Sequence, residues 1–319
     1  MKIEMGESLF FSWLRHVKEC QIVQSNWTTS PQWALRHEDE LNDIMAQTDA
    51  IFREKYGYNI YKKNASLSQI LQQAECDVLG VSVQDNEIKT YAIDVAFHRE
   101  GLLYTDRKNT VTQIIKKCLR TAMCIYGYLD TKDAEIIFAS PKIGKSILED
   151  VAPCVADAQA ITQQMGFNFS FRIIANEDFR ESVLNPILLV SKGVADTNEL
   201  FLRSYQMLQM FDSESKQPPT DYANAITELK IGKIAQIILR ELLESGKVEK
   251  AELINLQDKN YCKMIFALNF PMLVNWDGEF DKVRYYVDPV SINGEKYALC
   301  SQWVERERPL LLSWIESHK

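Results

Sequence analysis

The amino-acid sequence predicts an α/β fold with one central sheet, followed by a smaller helical unit that ends in a β hairpin. Three observations carry this expectation. Segments of helical spacing alternate with short β-rich runs between Glu38 and Ile174, the pattern of strands covered by helices. Two of those runs are separated only by Gln84-Asp85-Asn86-Glu87, a polar turn typical of a hairpin. A polar, proline-containing stretch from Asp212 to Thr220 then breaks the chain. A length of 319 residues suits about two domains. We place them at 1–200 and 221–319, with 201–220 as linker.

The elements follow in order. Glu38 to Tyr56 carries Leu41, Ile44, Met45, Ile51 and Phe52 at helical spacing. Cys76–Val83 and Ile88–Phe97 are the hairpin strands, and Asn109 opens a long amphipathic helix reaching Leu129. Glu135–Ala139 and Phe169–Ile174 read as buried strands, with a helix over Lys145–Met165 between them. Beyond the break, Tyr222–Ser245 is a helix stopped by Gly246. Shorter helices are expected at Lys250–Leu256 and Asp258–Ala267, then strands at Arg284–Val287 and Tyr297–Val304 around a turn at Asn293-Gly294.

Composition excludes several classes. Hydrophobic residues make up 46 % and charged residues 25 %, an ordinary globular balance. No apolar run reaches the roughly 18 residues of a membrane span, and the first residues lack the basic start and apolar stretch of a signal peptide. A cytoplasmic protein without a membrane partner is expected. The seven cysteines form no CxxC pair, which argues against a disulfide framework or a thiolate zinc site. There is no GxSxG elbow, no GxGxxG after a strand and no HExxH. Lys and Arg number 36 against 44 Asp and Glu, a net charge of −8, the wrong sign for gripping nucleic acid by bulk electrostatics. The distribution is uneven, however. Residues 1–104 carry a net −5, whereas residues 105–146 carry +4.

The hairpin carries the chemistry. If residues 84–87 form the turn, Val83 faces Ile88 and Asp77 faces Asp94. Alternation puts Glu75 and Asp77 on one face of the first strand, and Asp94, Ala96 and His98 on the same face of the second. Like charges facing each other destabilise a hairpin, and carboxylates are seldom placed on apolar strands without compensation. A divalent cation would supply it, since Mg²⁺ is held by one or two carboxylates together with phosphate and water.

Ala74-Glu-Cys-Asp-Val-Leu-Gly80, a turn, and Tyr91-Ala-Ile-Asp-Val-Ala-Phe-His98 resemble the core hairpin of the PD-(D/E)xK nucleases. The resemblance covers residues 38–175. It implies a restriction-endonuclease-like core, a central mixed sheet flanked by helices, that hydrolyses DNA phosphodiester bonds with Mg²⁺ or Mn²⁺ in a restriction or repair setting. Carried over by position, Asp77 and Asp94 would be the metal ligands, with Glu75 or a leading-helix acid such as Glu40 assisting. The sequence departs from the family at one point: its lysine falls on Ala96.

The helix after the hairpin offers replacements. At 100° per residue, Gln113, Lys116, Lys117 and Arg120 share one face about 100° wide. Some nucleases of this family move the missing lysine to this helix, so Lys116 or Lys117 would supply the charge, while Gln113 and Arg120 would position the strand. His98, two residues beyond Ala96, is a second replacement suited to proton transfer. Lys142 follows a strand and stands beside a helix start, where phosphate contact is expected.

Three helices and a hairpin at the C-terminus are the outline of a winged-helix domain. Its net charge of −2 over 221–319 is poor support for reading DNA, although Lys259, Asn260 and Lys263 would face phosphates or bases. The expectation is thus a metal-dependent DNA nuclease, with DNA preferred to RNA and a homodimer admissible. The alternative is a nuclease-like fold without catalysis that binds nucleic acid or protein.

Overall fold

The computed structural model describes residues 4–61, 66–72, 74–84, 87–194, 197–211 and 229–318. It separates into two compact units. The first comprises Met1–Ile187 with Asp196–Gln217, and the second Leu188–Ala195 with Pro218–Lys319.

In the first unit, helix α1 (Met5–His16) and strand β1 (Ile22–Thr28) precede α2 (Glu38–Tyr56) and the short α3 (Leu67–Gln72). Strands β2 (Glu75–Gln84) and β3 (Glu87–Val95) form the hairpin. They are followed by α4 (Arg107–Leu129), β4 (Asp133–Ser140), α5 (Lys145–Gln164) and β5 (Asn168–Ala175). The strands make one five-stranded mixed sheet in the order β1-β2-β3-β4-β5. Pairing is antiparallel from β1 to β3 and parallel from β3 to β5. The sheet therefore changes sense at β3, the strand that carries Asp94.

One face of the sheet is covered by α2 to α5 through a core that includes Leu79, Ala92, Ile136 and Phe138 with Ile115, Leu119 and Ala122 of α4. Helix α4 starts where Asp106 accepts a hydrogen bond from Asn109 N–H at 2.7 Å, an N-cap that fixes its first turn. Helix α1 packs on the opposite face of the sheet. Its approach depends on Gly80 of β2, where a Cβ would lie 2.8 Å from Leu14 Cδ1 and 3.1 Å from Cys20 Sγ. We expect Gly80→Ala to cost about 1–3 kcal/mol through overpacking, read as a lower midpoint in urea. An unchanged midpoint would show that Leu14 moves aside at no cost.

Residues 200–211 correct the predicted linker. They form helix α8 (Leu200–Phe211), reached through α6 (Asn176–Phe179), a π-helical turn at Arg180–Leu184 and α7 (Asn185–Val190). Helix α8 is tied to α1, with the N–H of Phe201 donating to Ser8 Oγ at 2.8 Å. Buried Glu199 just before it accepts from His16 Nε2 at 2.9 Å and pairs with Arg15 at 3.3 Å. These partners hold the Glu199 carboxyl below its ordinary range against the burial that raises it. The remainder of the predicted linker, 212–220, lies outside the described residues, as does the start of the helix expected from Tyr222.

In the second unit, α9 (Ile231–Ile234) runs through a π-helical turn (Ala235–Leu239) into α10 (Arg240–Glu244). Helices α11 (Lys250–Asn255) and α12 (Lys259–Phe266) follow, and then β6 (Leu273–Asn275), β7 (Val290–Ile292) and β8 (Glu295–Leu299) before α13 (Arg308–Ser317). The three strands form an antiparallel sheet in the order β6-β8-β7. The strand expected at Arg284–Val287 is absent. Asp281 caps a 3₁₀ turn over Lys282–Arg284 by accepting from Val283 N–H, leaving a single bridge from Tyr285 to Cys300. The turn at Asn293-Gly294 joins β7 to β8, with both residues in the left-handed backbone region.

Candidate active site

The site is built at the end of β2 and β3 that lies at the carboxyl ends of the parallel strands β3 to β5. Ladder pairs run from Gln84–Glu87 to Val78–Ile93 in the predicted register; the ladder ends there, one position short of Asp77 and Asp94. The Leu79–Ala92 pair faces the helices, so strand alternation turns Asp77 and Asp94 toward α4 as well.

Asp94 is 2 % exposed. Its two oxygens are held by side chains one turn apart on α4: Thr121 Oγ1 donates to Oδ2 at 2.7 Å, and Lys117 Nζ stands 3.5 Å from Oδ1. The ammonium also lies 5.9 Å from the centre of the Phe138 ring. Burial alone would lower the Lys117 pKa, but Asp94, Tyr104 and Asp77 outweigh it and hold the group above the usual lysine range. Lys117 is therefore a cation at neutral pH and not a proton acceptor.

Asp77 accepts a hydrogen bond from Val95 N–H at 2.6 Å. Burial is the main cause that raises its pKa, with Asp94 and Glu7 adding to it, and Val95 N–H and Lys117 opposing; the result is about 6. A carboxyl raised this far beside a second carboxylate is a common signature of functional sites.

Sequence reasoning missed three contributors. Glu7 of α1 is 9 % exposed and bears on Asp77 electrostatically. Its Oε2 accepts from the Asn26 side-chain amide at 3.2 Å and from Glu4 N–H at 3.3 Å. Asn26 has a left-handed backbone, φ 51°, on β1 between the pairs Ser25–Val78 and Trp27–Cys76. Thr121 is the third. Glu7 had a signal of a misleading kind, since a Glu three residues after Glu4 reads as a helix-start capping box, which it also forms.

The other predicted residues are distributed as follows. Glu75 is exposed and pairs in the ladder with Thr28. Glu40 is not at the site: it accepts from Tyr126 Oη at 2.7 Å and pairs with Lys132 at 3.1 Å. Lys116 is half-buried one position round the helix from Lys117. Gln113 reaches Asn109 Oδ1 at 3.5 Å. Arg120 has its Nε buried without a hydrogen-bond partner among the described residues. His98 is exposed and packs edge-on against Tyr104, 6.0 Å between ring centres. Ala96 is 7 % exposed.

Lys142 is exposed on the loop after β4. That loop is laced to its neighbours: Leu102 N–H donates to Lys142 O at 2.8 Å, and the Asn176 side chain both donates to Ile143 O and accepts from Ile143 N–H at 2.9 Å. In the second unit Lys259, Asn260 and Lys263 are exposed on α12, whose opposite side buries Cys262 and Phe266.

Among the described residues no group of three or more His, Cys, Asp or Glu is arranged to hold a metal ion. Two carboxylates remain, with one oxygen of Asp94 facing an ammonium. This donor set matches a cation that takes its other ligands from substrate phosphate and water. No described helix is long and apolar enough to cross a membrane. Comparison with protein-family models, with curated proteins and with solved structures gives no match.

Proposed function

We propose that the first unit is a metal-dependent phosphodiesterase of restriction-endonuclease-like fold acting on DNA. The observation that supports this reading best is the Asp77–Asp94–Lys117 cluster: two carboxylates on paired strands, one with its pKa raised to about 6, and an ammonium 3.5 Å from the other. Asp77 and Asp94 would hold the cation. That ion would activate water and stabilise charge on the phosphate when bound. Lys117 reaches from α4 to the side of β3 where the family's lysine would project from position 96. As a permanent cation it stabilises negative charge developing on the phosphate, and Arg120 would contact the strand backbone. Glu7 adds negative charge on the α1 side of the pair.

A second reading rests on a specific observation. Thr121 and Lys117 already satisfy both oxygens of Asp94, an arrangement also suited to a fold that binds nucleic acid or protein without cleaving. The winged-helix-like arrangement of the second unit fits either reading as a binding module.

Cleavage of supercoiled and linear DNA with Mg²⁺, Mn²⁺ or EDTA decides between them. The expected result is metal-dependent nicking that falls by at least about 10²-fold in Asp94→Asn, a size typical of losing one charge-stabilising group, with circular dichroism unchanged. No cleavage with either metal overturns the enzymatic reading in favour of the binding module.

A further inference from the structure

The second unit contains a cleft of about 430 Å³, within the size range of small-molecule sites. One wall is the helix that runs from α9 through the π turn, and the other is the 285–290 segment. Two hydrogen bonds brace the walls at the two ends. Tyr286 Oη donates to Gly232 O at 2.9 Å, and Arg240 Nη2 donates to Pro289 O at 2.7 Å. Arg240 Nε is also committed, to Glu244 at 3.1 Å. A hollow held open at both ends does not depend on a ligand for its shape, and such preorganisation reduces the cost of binding.

The lining has a divided chemistry. Val190, Val194, Ile237, Val290 and Leu299 supply an apolar body. Between the two braces the helix presents Lys233 and Gln236 to the cleft. Both are half-buried, and among the described residues neither side chain has a hydrogen-bond or ionic partner. A half-buried ammonium and amide left unpaired beside apolar walls carry a cost unless something binds them. Glu244 balances Arg240 at the end of the cleft, so Lys233 is the lining cation without such a partner among the described residues, and Asp288 is exposed. Gln236 and Ile237 of this lining belong to the π turn, and π turns within helices recur at functional sites.

We infer that this cleft binds a small organic anion, its apolar or aromatic body against the aliphatic wall and its anionic group on Lys233 and Gln236. The inference is independent of the nuclease reading of the first unit. The test uses the full chain and 1-anilinonaphthalene-8-sulfonate, an aromatic anion that fluoresces when bound. Its neutral analogue N-phenyl-1-naphthylamine, which lacks the sulfonate, isolates the charge.

The expected result is one saturable site for the anionic dye, weakened about tenfold or more in Lys233→Met, the size of a lost charge-assisted hydrogen bond. The melting temperature stays unchanged, since among the described residues the Lys233 side chain has no partner to lose. The neutral dye binds about tenfold more weakly than the anion and equally to both proteins. Gln236→Trp, which fills the cleft from the half-exposed side of the helix, blocks the anionic dye. Binding unaffected by Lys233→Met, equal binding of the two dyes, or no saturable site overturns the inference.

Discussion

At pH 8 the Asp77→Asn protein will melt higher than the wild type, and the difference will shrink as the pH falls through about 6 and disappear well below about 4. The carboxyl of Asp77 has an ordinary value of 3.8 that burial and its acidic neighbours raise to about 6 in the folded chain. Between those two values the folded state binds more protons than the unfolded state, so stability falls as pH rises through the window and then levels off. A shift of this size corresponds to about 3 kcal/mol at neutral pH, or on the order of 6–12 °C in melting temperature for a unit of this length. Asparagine removes the charge yet keeps an oxygen to accept from Val95 N–H, so the variant is relieved of the penalty. Mg²⁺ or Mn²⁺ should raise the wild-type melting temperature at pH 8 and leave that of Asp77→Asn unmoved. A variant that melts lower at every pH would mean that Asp77 is a structural acceptor and not a strained ligand position. Stability surrendered at a site and recovered by neutralising it is the pattern expected where function, not packing, keeps the residue.

The opposite sign is expected at Lys117. Lys117→Met leaves Asp94 almost fully buried with only Thr121 to answer its charge, and breaking a buried pair by removing one partner costs about 3–5 kcal/mol. Adding Asp94→Asn to Lys117→Met removes the stranded charge and should restore most of the lost stability. Urea denaturation of the two single variants and the double variant gives the coupling directly. Additive losses would overturn the pairing, because independent residues show no interaction energy. Stability is thus expected to move in opposite directions at the two positions, whereas on the proposed nuclease reading cleavage is expected to fall in both variants.

The hairpin and its register were legible because strand pairing across a short turn is arithmetic. The pairs from Val78–Ile93 to Gln84–Glu87 fall where alternation and turn position put them. Helical periodicity likewise brought Gln113, Lys116, Lys117 and Arg120 to one stripe of α4, and the fold selects Lys117 because Asp94 meets α4 at that turn, with Thr121 one turn on. What escaped was non-local. Strand β1, with Gln24, Ser25 and Asn26 in its middle, is defined by its pairing with β2 across two intervening helices. Residues 201–211 read as linker because the groups that hold α8 and the preceding Glu199, namely Ser8, Arg15 and His16, lie near the other end of the unit. The aromatic run at 284–287 has strand propensity, yet the cap supplied by Asp281 converts its start into a turn, a case of local side-chain bonding competing with the ladder.

The topology also sets an order of assembly. The β2–β3 pairing is the most local in the sheet, and hairpins of this kind close within microseconds, whereas contacts distant along the chain carry a larger loop-closure cost and come later. Asp77 and Asp94 therefore meet on a nearly local timescale, while Lys117 and Thr121 arrive only when α4 has formed and docked. Until then the hairpin holds two repelling carboxylates with nothing opposite them. The commitment of the sheet to its native pairing is thereby coupled to the helix that carries the compensating charge, and the chemistry of the site becomes part of the kinetics by which the chain reaches its fold.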